Sequence, residues 1–127
     1  MTIDEAIAQA DALKPNQVER AQKIAWLTQL DGWIFSTLMK RHAKDGEAPE
    51  SFTPYTQASS PDTELLAKPP YDEMYRFYLE MHIDLVNLEF DKYNNSAALY
   101  TAAWGQFARA WHREHMPTEA AGACLRF

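Results

Sequence analysis

The sequence predicts a mainly α-helical domain, a four-helix bundle-like arrangement: a short helix, a long helix, a loop or small hairpin, then a helix pair, with an extended C-terminal tail. Three observations predict it. Apolar residues recur at helical spacing through three stretches. Prolines stand at the ends of those stretches and not inside them. The long stretch without helical periodicity, residues 45–69, is rich in turn-formers and holds four prolines. Residues 1–117 therefore read as a single helical domain with a loop inserted at about 45–69, and residues 118–127 as a tail. A chain of 127 residues is long enough for one hydrophobic core.

Thr2-Ile3-Asp4-Glu5 reads as a capping box, with Thr2 as the cap and Glu5 reaching back to it. Ile3, Ala6, Ile7, Ala10 and Leu13 then share one helix face. Lys14-Pro15 ends the helix, because proline pushes its predecessor out of the α region. Asn16 is placed to cap a second, long helix over residues 17–44, with Glu19 at the capping-box position. Its core stripe is Ile24, Leu27, Leu30, Ile34 and Leu38, and Trp26, Trp33 and Phe35 spread apolar surface further round. Gly32 inside it costs about 1 kcal/mol relative to alanine and reads as a site of close helix packing. Lys40, Arg41, His42 and Lys44 complement the dipole at its end, and Asp45-Gly46 supplies the stop.

The loop contains two β-like pieces, Ser51–Tyr55 and Glu64–Ala67, whose pairing as a hairpin is left open. Pro69-Pro70 pre-set the next helix, and Asp72 and Glu73 place carboxylates in its first turn. Met74, Phe77, Met81, Leu85 and Leu88 form its apolar stripe. Tyr93-Asn94-Asn95-Ser96 interrupts the pattern as a turn. Leu99, Ala103, Phe107 and Ala110 make the stripe of the last helix, and Tyr100, Trp104, Phe107 and Trp111 a second row beside it. Met116-Pro117 ends that helix, and the tail closes on Cys124-Leu125-Arg126-Phe127.

Composition excludes several function classes. Twelve Lys and Arg against eighteen Asp and Glu give a net charge of −6, the opposite of an electrostatic nucleic-acid binder. Residues 45–68 carry five acids and one base, so the loop belongs outside the core. No apolar run approaches the ~20 residues of a membrane span, and the N-terminal residues do not resemble a signal peptide. The lone Cys124 excludes an internal disulfide and fits a reducing compartment.

No constellation for chemistry stands out. His112-x-x-His115, with Glu114 nearby, lacks the i, i+4 spacing and third ligand of a metal site and reads as a cationic final turn. His82 reads as a partly buried helix residue. Ser36, Ser59, Ser60, Ser96 and Cys124 have no base or glycine elbow beside them. No catalytic, cofactor-binding or metal-ligating residue is expected, and no enzymatic activity. What remains is an aromatic surplus, 13% of the chain with four tryptophans. Either it fills the core or one row of it meets another subunit. The candidate interface residues are Tyr100, Trp104, Phe107, Trp111, Leu125 and Phe127.

The motifs also carry a resemblance. Leu13-Lys14-Pro15-Asn16, Trp26-Leu27, Leu30-Asp31-Gly32, Asp62-Thr63-Glu64-Leu65-Leu66, Pro70-Tyr71-Asp72, Tyr93-Asn94-Asn95-Ser96 and Phe107 resemble a family of small tailed-phage and prophage proteins of the head and portal gene region. The order of elements is similar to phage head–tail connector, or adaptor, proteins. That resemblance implies a ring beneath the portal that joins head to tail. It implies a cyclic homo-oligomer whose loop and tail reach neighbouring subunits, with the portal protein and the next tail or head-completion protein as partners. DNA would pass through without specific binding, and the protein would reside in the virion, or in the bacterial host cytoplasm during assembly. A second reading is a small acidic helical adaptor or regulator that binds a host protein through Glu47, Glu50, Asp62 and Glu64. A third is a helical metalloenzyme using His112 and His115.

Overall fold

The structure, a computed structural model, describes residues 1–39 and 51–115. Among these residues the chain is mainly helical, with four α-helices: α1 (Ile3–Leu13), α2 (Arg20–Ile34), α3 (Glu73–Val86) and α4 (Phe90–His115). The tail after Met116 and the cationic end of the long helix with its Asp45-Gly46 stop lie outside the described residues.

α1 begins as its capping box dictates. Thr2 Oγ1 accepts a hydrogen bond from the Glu5 amide at 3.1 Å, which satisfies one N–H that the helix cannot pair. Ile3, Ala6, Ile7 and Ala10 are buried. Lys14, before Pro15, leaves the helix in an extended conformation. Asn16 does not cap α2. Its amide donates to Asp11 Oδ1 and to the Lys14 carbonyl, while its Oδ1 accepts from Val18 N–H at 3.1 Å. These bonds make a local turn, so α2 starts later, after Glu19.

The expected core stripe of the long helix is buried from Ile24 to Leu38. After Ile34 the helix widens into a π-helical turn, Phe35–Met39, which also brings Phe35 and Met39 into the core. A Cβ on Gly32 would meet the Phe52 ring at 3.8 Å. The close neighbour at this glycine is therefore the loop and not another helix.

Among the described residues, the two β-like pieces do not pair as a hairpin. The Tyr55 amide donates to Thr28 Oγ1 at 2.9 Å, so the first β-like piece lies on α2. The second turns to α1: Glu64 forms an isolated antiparallel bridge with Thr2. Ile3 N–H donates to the Thr63 carbonyl and Asp4 N–H to the Pro61 carbonyl, which occupies two more unpaired amides of the helix start. Leu65 and Ala67 are fully buried beneath this contact.

α3 and α4 fold back on each other with the most extensive helix contact among the described residues. Two features differ from the sequence pattern. The buried face of α3 is Met74, Tyr75, Tyr78, Leu79 and Ile83, whereas Phe77 and Met81 are half-buried and Leu85 and Leu88 exposed. The face is rotated because the Tyr75 and Tyr78 hydroxyls find acceptors on α2, Asp31 and Gln29, so both rings can go inside. The break between the helices falls at residues 87–89, not at Tyr93–Ser96, which lies within α4. Ser96 is no cap: its hydroxyl donates to the buried Asp84 carboxylate at 2.7 Å.

Candidate interaction surface

The polar interior is organised around Asp31, which is fully buried. Its Oδ1 accepts from the Tyr75 hydroxyl at 2.5 Å, and its Oδ2 from the Tyr55 hydroxyl at 2.6 Å and Leu66 N–H at 3.1 Å. The Tyr75 oxygen in turn accepts from Ala67 N–H at 2.7 Å. One carboxylate thus ties α2, α3 and both halves of the loop. Burial pushes the Asp31 carboxyl above its ordinary value, against the three donors that hold it down. Burial and the facing carboxylate push the Tyr75 and Tyr55 hydroxyls up, which keeps them as donors. The hydrogen bonds of this cluster join separate segments of the chain, so it is a structural hub.

The aromatic row of α4 faces the core. Phe107 is buried, with the Tyr71, Trp104 and Trp111 rings 6.2–6.3 Å from its own. Tyr100 lies 5.0 Å from Tyr78, and burial pushes its hydroxyl up to about 12. Trp104, Trp111 and Tyr100 are half-buried against the chain's own core. Leu125 and Phe127 lie outside the described residues.

His82 continues this aromatic packing. Its ring stacks on Trp26 at 4.8 Å and meets Tyr78 edge-on at 4.6 Å. Its Nε2 is buried without a hydrogen-bond partner, and burial holds its pKa below the ordinary 6.5. The folded state therefore binds this proton less tightly than the unfolded chain. The contribution to stability is full above 6.5 and is lost as the pH falls through 6.5 towards the lower folded value. Asp31 and Glu80, raised by burial from 3.8 and 4.5, act in the opposite sense at lower pH. We expect the urea midpoint to drop between about pH 7 and 5.5, and His82→Phe to flatten that drop. Equal slopes for the two proteins would disprove the assignment.

Among the described residues, four of the exposed large apolar side chains cluster elsewhere, at the α3–α4 turn. Leu85, Val86, Leu88 and Phe90 are 43%, 54%, 71% and 59% exposed. The turn is a Schellman cap: Leu88 N–H donates to the Leu85 carbonyl and Glu89 N–H to the Asp84 carbonyl. Such a cap places one residue in the left-handed region, normally glycine. Here it is Leu88, at φ 57°, and a leucine Cβ there costs about 1–2 kcal/mol. With its side chain in solvent, Leu88 makes no core contact that offsets this cost.

A groove of about 180 Å³ opens between the start of α3 and the middle of α4, lined by Met74, Phe77, Leu99, Ala102 and Ala103 among others. Beyond Tyr71 and Gln106 the surface continues to Arg109 and Arg113. Neither arginine has a carboxylate partner among the described residues.

Comparison with known protein families, curated proteins and solved structures returned no match. The surface therefore stands on the chemistry of this chain alone. Among the described residues, no group of three or more His, Cys, Asp or Glu is placed to hold a metal ion. No helix among them is long and apolar enough to cross a membrane. His112 is exposed near the end of α4. The pattern of the sequence singled out the inward aromatic row. It missed the turn at Leu88, whose one local signal is four apolar residues within Leu85–Phe90.

Proposed function

We propose that this chain is a self-assembling structural protein of a tailed-phage particle, a head–tail connector or adaptor that forms a ring beneath the portal. The observation that carries the reading is the exposed apolar turn at residues 85–90, centred on a leucine held in an unfavourable backbone conformation with its side chain in solvent. Surface of this kind marks a contact with another protein. The acidic charge suits a lumen that lets DNA pass without binding it. The order of elements, with a short capped helix, a long helix, a loop and a helix pair, supports the same reading by resemblance.

The test is negative-stain microscopy of the purified protein, alone and mixed with portal assemblies. Closed rings, or a collar on the portal, are expected. A protein that forms neither, and that instead captures a host protein through Asp62 and Glu64, both exposed on the loop, would be the acidic adaptor.

A further inference from the structure

We infer that Leu88 and Phe90 form a knob that enters the α3–α4 groove of a second copy of this chain. The inference rests on the self-assembly reading above and names its contact surface. The knob has a glycine-type backbone position filled by leucine, and its two apolar side chains are the most exposed large ones at the turn. The groove offers an apolar floor, Met74, Phe77, Leu99, Ala102 and Ala103, with room for one such side chain.

Charge selects the occupant. Asp91, directly after the knob, is exposed and forms no ion pair among the described residues, because the neighbouring Lys92 is paired with Glu89 at 2.8 Å. Arg109 and Arg113 border the far end of the groove, and neither forms an ion pair among the described residues. Leu88 and Asp91 lie within about 10 Å of each other along the chain, and Ala103 and Arg109 are six helical residues, about 9 Å, apart. Glu73, at the groove's other side, repels the acidic knob and fixes the direction in which it lies.

The knob cannot reach its own groove. Phe90 and Leu99, the nearest floor residue on the same helix, are nine residues apart, about 14 Å. Knob and groove are different surfaces, so the contact is heterologous: it closes into a ring if the rotation between copies permits, and extends as a filament otherwise.

Sedimentation velocity over a range of concentrations tests this with two variants. Leu88→Gly takes the leucine from the knob and relieves the backbone, so it should raise the thermal midpoint while weakening association about tenfold or more. Ala102→Arg, at an exposed position, fills the groove, and should weaken association equally with an unchanged midpoint. Mixed in equal amounts, the two should form dimers and nothing larger, because one intact knob still meets one intact groove. If wild type assembles and both variants assemble as well as it does, the contact lies elsewhere: this inference falls and self-assembly stands. A wild type that stays monomeric, with or without portal, overturns both. A monomer whose portal binding is lost in Leu88→Gly would assign the knob to the portal and overturn the inference.

Discussion

Asp31→Ala is expected to cost about 3–5 kcal/mol of folding stability, the largest effect of any single change outside the apolar core. The carboxylate accepts from two tyrosine hydroxyls and one backbone amide. Its removal leaves these donors in a fully buried site, where an unmade hydrogen bond costs about 1–3 kcal/mol. Asp31→Asn keeps the shape but turns an NH2 towards a donor, so its cost should be smaller, about 2 kcal/mol. Urea unfolding of the three proteins measures both. Limited proteolysis of residues 51–67 gives a second readout, because the hub is what holds Tyr55 and Leu66 to the helices. A loss below about 1 kcal/mol for Asp31→Ala would show that water replaces the carboxylate, and would refute its role as a hub.

Phe107→Ala should cost about 3–5 kcal/mol. Its ring is almost completely buried among Tyr71, Trp104 and Trp111, and a cavity in that cluster has bulky rings on three sides that cannot collapse to fill it. Leu99→Ala, on the same helix but half exposed in the groove, should change stability by no more than about 0.5 kcal/mol. The contrast separates the two uses of the aromatic and apolar surplus on α4. If Phe107→Ala unfolds at the wild-type urea concentration, the row does not serve the core.

Much of the fold was legible because its signals are local. The Thr2 cap, the Lys14-Pro15 stop and the stripe of α2 each follow from neighbouring residues, and each is present. The face of α3 was not legible. Tyrosine reads as a boundary residue until an acceptor 44 or 49 positions away lets it go inside. The α3–α4 break was hidden for another reason. A left-handed cap is normally announced by glycine, and here the announcing residue is Leu88, while the turn-like Tyr93-Asn94-Asn95-Ser96 sits in the first turns of α4. Asn94 and Asn95 face solvent there, and Ser96 serves Asp84. Of the candidate interface, only Leu85 and Leu88 were visible, as the end of an apolar helix stripe, and Val86 and Phe90 lay outside it.

The bonds that converge on Asp31 join residues 24, 35 and 44 positions apart. None can be made until long stretches of chain have closed, and we expect them to form after the helices have first paired. Contacts made after the rate-limiting step slow unfolding and leave the folding rate almost untouched. The buried carboxylate is therefore a latch on lifetime: it sets how long the chain, once folded, keeps its loop shut.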